Sequence, residues 1–309
     1  MMKHNLTFPA LTLAGGAAAF VLRLLQVRTS FEVETGLPIP GNPWGTALIV
    51  LLLLLAAALV LLARKLPQES AALGFPQSFS TSSTGILTIL ILGVFLLGAS
   101  GLLDLFSGLR SGVSMPADAY AITADGISAD GFSAKEHLVL GLLSLLSAAS
   151  LFPAAAACRR PGSHESSDTP RKTVQGSLLL VPVVCFVIRL VLVYRVDSIN
   201  PVLSDYYLEL LALVFLTLGF YRLSSFAFGA GRNGLFALYA GLAVILCLAE
   251  LADGFGSSQL PITLFHAGGA VTLLGFLLLR MGTPIPTGRT RRRRVQPDEE
   301  APAAPSDNS

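Results

Sequence analysis

The apolar residues of this chain are not spread along it; they are gathered into separate runs of about 20, the length an α-helix needs to cross hydrocarbon at about 1.5 Å per residue. A water-soluble globule would alternate buried and exposed faces within each element. Here 53% of the 309 residues are hydrophobic and 13% charged, and the 29 glycines lift the apolar share to about 62%, against roughly 45–50% in soluble domains. The expected fold class is therefore all-α, a polytopic membrane helical bundle. A net charge of +2 gives no support for nucleic-acid binding. The chain holds no Walker loop, dinucleotide fingerprint or H-E-x-x-H zinc motif, so no metal or cofactor is named by it.

Hydropathy predicts eight transmembrane helices, over 8–27, 45–66, 84–106, 136–157, 174–196, 205–225, 233–252 and 260–281. Between the fifth and sixth, Asp197, Asn200, Pro201 and Asp205 interrupt the apolar run, and Pro201 removes a backbone donor, so a tight turn is expected there. With both termini cytoplasmic, fifteen of the 21 basic residues fall on that side, four outside (Arg28, Arg110, Lys135, Arg195) and two, Arg23 and Arg189, within spans. This bias places the protein in the plasma (inner) membrane with N- and C-termini inside. Lys3 and the small residues Gly15 to Ala19 also fit a signal peptide, but the apolar run continues through Phe20 to Leu25, so a retained first span is expected. Cys158, Cys185 and Cys247 lie in spans or at the cytoplasmic boundary, where no disulfide is expected.

The first and fifth spans carry related segments, Phe20-Val-Leu-Arg-Leu-Leu25 and Phe186-Val-Ile-Arg-Leu-Val191, identical at four of six positions. Residues 85–104 align without gaps on 234–253, each opening with glycine and closing with aspartate. The pattern reads as a 4+4 parallel repeat: a first four-helix half over 1–157, a polar cytoplasmic linker over 158–175 and a second half over 176–281. The long external loop, 107–133, repeats Ala-Asp-Gly at 124–126 and 129–131, a turn signal with too few ligands for a calcium loop. Residues 282–309 form a tail, basic then acidic, expected to be disordered. Its arginines, Arg289, Arg291, Arg292, Arg293 and Arg294, would meet anionic lipids of the bilayer rather than nucleic acid.

Ionisable groups inside a span are costly unless paired, so each is a candidate site. Arg23, Asp104, His137, Arg189, Glu209, Glu250, Asp253 and His266 all fall in the outer halves of their predicted helices. Arg189, Glu209, Glu250, Asp253 and His266 are expected to converge on an outward-facing pocket, as ligand or ion candidates. The leading structural reading pairs Arg189 with Glu250 or Asp253. Arg23 and Asp104 are structural ion-pair candidates, with Arg23 near enough to its helix end to snorkel to headgroups. His266 precedes Ala267, Gly268, Gly269 and Ala270, a surface for close helix contact. Tyr206, Tyr207 and Trp44 read as interfacial anchors.

Gly98-Ala-Ser-Gly101, with His137 and His266 on later helices, superficially matches rhomboid proteases, but the match covers four residues and the histidine spacing departs from that family. No catalytic residue is assigned. The stretch from Asn200 to Arg232, with Tyr206, Tyr207, Glu209, Phe220, Tyr221, Arg222 and Phe228, resembles uncharacterised multi-pass membrane proteins of Gram-positive, clostridial-type bacteria. That resemblance implies a bacterial membrane protein and carries no activity. A transporter-like or small-ligand and ion-binding role is the expectation, with a non-enzymatic scaffold or partner-binding subunit as its alternative.

Overall fold

The computed structural model describes residues 6–30, 39, 41–66, 75–81, 83–113, 133–159, 177–197, 203–254 and 260–282. Much of the predicted linker, the long external loop and the tail with its arginines lie outside the described residues. Among the described residues, eight long helices and one short turn of helix follow in order: α1 (Thr7–Thr29), α2 (Pro43–Lys65), α3 (Phe75–Ser78), α4 (Thr84–Val113), α5 (Ala134–Ala157), α6 (Leu180–Asp197), α7 (Leu203–Ser225), α8 (Asn233–Glu250) and α9 (Leu260–Gly282). Among the described residues no strand forms, and Thr81 and Arg159 make one isolated bridge.

Seven of these helices are long and apolar enough to cross a membrane, rather than the expected eight. The exception is α6, which carries Arg189, Arg195 and Asp197 in 18 residues. The third predicted span is longer than expected, because Gly108 nestles against the Ala134 carbonyl and Leu138 of α5 and packing extends α4 past residue 106. Local signals set several ends. Asn42 caps α2, its Oδ1 accepting from Trp44 N–H at 3.1 Å while its amide donates to the Thr29 carbonyl at 2.7 Å, and Pro43 occupies the first turn. Gly229, at φ +70°, reverses the chain after α7, where Ala230 N–H bonds the Ser225 carbonyl at 3.0 Å.

Helices α4 to α9 close on one another in sequence order, each packing on the next and α9 returning to α4, so that six helices make a ring. The α1–α2 hairpin packs outside that ring against α8. The halves drawn from the sequence thus interlock, with α1 and α2 on α8 and α4 on α9. In α8, 67% of the apolar window is buried, against 22% in α2, which makes α8 the hub and α2 a peripheral helix. Outward-facing Leu53, Leu54, Phe95, Phe106, Leu142 and Val191 are more than half exposed, an apolar girdle that suits lipid rather than water.

Close contacts between ring helices run through glycine. A Cβ on Gly93 of α4 would meet Thr272 N of α9 at 2.5 Å, and one on Gly268 would meet Leu97 N at 2.6 Å. Gly101 and Gly141 face each other across α4 and α5 in the same way. Ser100, the serine of the G-x-S-G segment, donates to the Pro261 carbonyl at 2.8 Å and so ties α4 to α9.

Candidate functional site

Apart from Arg280, the buried ionisable residues gather at one end of the bundle, in two clusters instead of one pocket. The first lies where α1 meets α8. Gly16 admits Leu248 and Gly241 admits Phe8, drawing the two helices together and placing Arg23 beside Asp253, in the turn after α8. Arg23 Nε donates to Asp253 Oδ1 at 2.8 Å and Oδ2 at 3.0 Å, Nη2 to Oδ2 at 2.8 Å, and Nη1 to Gln26 Oε1 at 3.2 Å. Such forked, charge-assisted contacts are the strongest of protein hydrogen bonds. Arg23 is 1% exposed, so it does not snorkel.

Glu250 lies three residues before Asp253 on the same helical face and is 8% exposed. Asp253, Glu209 and Arg23 surround it, yet its Oε2 has no hydrogen-bond partner. Tyr207 joins the same group: its hydroxyl is buried and without a hydrogen bond, close to Arg23, Asp253 and Glu250, rather than anchored in the interface as its position predicts.

The second cluster lies inside the ring. Arg189 does not make the pair with Glu250 or Asp253 that the sequence predicts, because α6 packs between α5 and α7 while α8 lies one helix further on. It turns inward instead, with Nη1 3.6 Å from Asp104 Oδ2 and 3.4 Å from Ser144 Oγ, and its guanidinium carbon lies 3.9 Å from the centre of the Phe265 ring. Asp104 Oδ1 is in turn 3.7 Å from His137 Nδ1. His266, fully buried on α9, stands against Phe265; neither ring nitrogen makes a hydrogen bond of good geometry, and the Ile262 carbonyl approaches from one turn back. Arg189 Nε and Asp104 Oδ2 also lack hydrogen-bond partners.

The five residues expected in one pocket therefore divide: Glu209, Glu250 and Asp253 join Arg23, whereas Arg189 and His266 join Asp104. Gln26, Ser144 and the Tyr207 hydroxyl complete the clusters; Gln26 follows Arg23 by three residues, a spacing that could have signalled it, whereas neither Ser144 nor Tyr207 has a charged residue three or four positions away. Nearby, Glu136 accepts from the Ser133 N–H and hydroxyl at the start of α5 and pairs with Arg195 of α6. Arg280, counted from sequence among the cytoplasmic boundary charges, is buried at the opposite end. Its Nε donates to Asn233 Oδ1 at 2.7 Å and Nη1 to the Ser78 carbonyl at 2.9 Å, among Phe75, Phe79, Phe226, Phe236 and Phe276. Among the described residues no group of three or more His, Cys, Asp or Glu side chains is arranged to hold a metal ion.

The apolar girdle and the seven long helices fit an integral, multi-pass membrane protein, with its ionisable groups buried between helices. No protein-family model, curated protein or solved structure matches the chain.

Proposed function

We propose that the chain crosses a bacterial plasma membrane eight times, α6 included, with both termini cytoplasmic, and that it acts as a transporter-like protein binding a small cation at Glu250. The observation that carries the binding role is the Glu250 carboxylate, buried beside two further acids, with one oxygen unserved while the guanidinium next to it grips Asp253. A carboxylate in low dielectric must be neutralised, by a proton or by a bound cation. The shielding of α6 by its ring neighbours supports its membrane placement, since Arg189 faces inward and Val184, Val187 and Val191 face outward. The positive-inside bias supports the orientation, and the tail arginines would then face anionic lipid.

The binding test is melting in detergent across pH and across sodium, potassium and magnesium, with wild type beside Glu250→Gln. A cation held at a hundredfold excess over its Kd stabilises the fold by about 2.7 kcal/mol, and that gain should vanish in the variant. Identical responses in both proteins would leave the scaffold alternative, which the closed Arg23–Asp253 fork favours.

The topology test uses single cysteines. Replacements at Ser128 should react with an impermeant thiol reagent added to intact cells, and those at Ser166 or Ser306 should not; the reverse pattern overturns the orientation. The native thiols leave the background clean. Cys158, Cys185 and Cys247 are free and at most 3% exposed, and burial pushes the Cys158 thiol, at the end of α5, up to about 12.

A further inference from the structure

We propose that the interior of the six-helix ring binds a small monovalent anion, a carboxylate by shape, together with one proton, at Arg189. The site is separate from Glu250 and stands on different residues. Four ionisable side chains from four helices meet there, Asp104 of α4, His137 of α5, Arg189 of α6 and His266 of α9, and none is more than 2% exposed. Groups so deeply buried normally close on one another at about 2.7–2.9 Å, as Arg23 and Asp253 do. These do not: the contacts to Asp104 are 3.6 and 3.7 Å and that to Ser144 is 3.4 Å. Arg189 Nε and Asp104 Oδ2 are left without hydrogen bonds, and neither His266 nitrogen makes one of good geometry, which is costly in a dry interior. A ligand seated among them removes that cost.

The charges select the ligand. Arg189 presents a guanidinium cation, so a second cation would be repelled at contact distance. Its face is covered by Phe265, which leaves the in-plane N–H edge, the fork that fits a planar carboxylate. Asp104 already balances Arg189, so an anion arriving alone would leave one uncompensated negative charge in low dielectric. It must bring a proton. The titratable groups facing the site are Asp104, His137 and His266, with Cys185 of α6 beside Ser147 at its margin. Asp104, protonated, would release Arg189 to the ligand and keep the site neutral.

The experiment uses the full-length protein in detergent at constant ionic strength, balanced with a bulky sulfonate, and titrates acetate, nitrate and chloride at pH 5 and pH 8. Acetate should raise the melting temperature, and its Kd should rise about tenfold per pH unit above the pKa of the proton acceptor. In weakly buffered solution between about pH 6 and 7, where free acetate is fully ionised, an indicator dye should report uptake of about one proton per acetate bound. Asp104→Asn should bind acetate at both pH values without proton uptake, and Arg189→Gln should not bind it. Stronger binding of nitrate or chloride than of acetate would replace the carboxylate with another anion and overturn that part of the assignment. The site itself is overturned if no anion stabilises wild type at pH 5, if binding proceeds without proton uptake, or if Arg189→Gln responds as wild type does. Should either variant fail to fold, proton uptake by the wild type decides.

Discussion

Arg23→Leu is expected to cost the fold about 3 kcal/mol, at the lower end of the 3–5 kcal/mol seen when one partner of a buried ion pair is removed, because Asp253 retains 19% exposure. The loss comes less from the missing attraction than from what remains. Asp253 and Glu250 would face each other across α8's end with no cation between them, in surroundings that solvate charge poorly. Unfolding in detergent measures the effect. The double variant Arg23→Leu with Asp253→Leu should recover much of it, since replacing both members of a buried pair by apolar groups is often close to neutral. An unchanged melting curve for Arg23→Leu would mean that the guanidinium reaches the headgroups after all and that the fork to Asp253 is weak.

Gly141→Val should be at least as damaging. Its Cβ would sit 2.7 Å from the Gly101 carbonyl and 2.8 Å from Leu105 N, both backbone atoms of α4 that no rotamer change can move. Helices α4 and α5 would have to part, at a cost at or above the 1–3 kcal/mol typical of overpacking. Gly85 provides the control, because nothing lies within 4 Å of its Cβ position; Gly85→Ala should be neutral or stabilise by about 0.5–1 kcal/mol through helix propensity. The yield of monodisperse extracted protein and its melting temperature separate the two. Equal behaviour would mean that the glycine contact does not set the helix spacing.

All eight long helices were legible as apolar runs, with ends displaced by a few residues where packing rather than local chemistry decides them, as Gly108 does for α4. The positions of the buried charges were legible too, because a hydrophobic run makes Arg23 or Glu250 conspicuous. Their partners were not. Pairing depends on which helices are neighbours, and neighbours in a bundle are chosen by surfaces such as Gly16 with Leu248 or Gly101 with Gly141, which read in sequence as small residues without an address. The expected link from Arg189 to Glu250 or Asp253 assumed that the second half closes on itself. Instead the partners are exchanged across the division drawn from the sequence, Arg23 meeting Asp253 and Arg189 meeting Asp104. Arg280 went unread for the opposite reason, since a basic residue at the end of an apolar run looks like a topology signal, and only its bonds to Asn233 and the Ser78 carbonyl, in a cluster of phenylalanines of which Phe79 and Phe226 face its guanidinium, show otherwise.

Those phenylalanines give the molecule a direction. Phe75 and Phe79 are delivered by the short segment between α2 and α4 and meet Phe226, Phe236 and Phe276 edge to face or tilted. Dispersion and ring quadrupoles of this kind respond little to salt or acidity, whereas the far end also holds carboxylates and imidazoles, groups whose charge depends on protonation. The buried groups whose protonation acid can change therefore lie at one end of the bundle, while the helices at the other end are joined largely by aromatic contacts that acid leaves as they are.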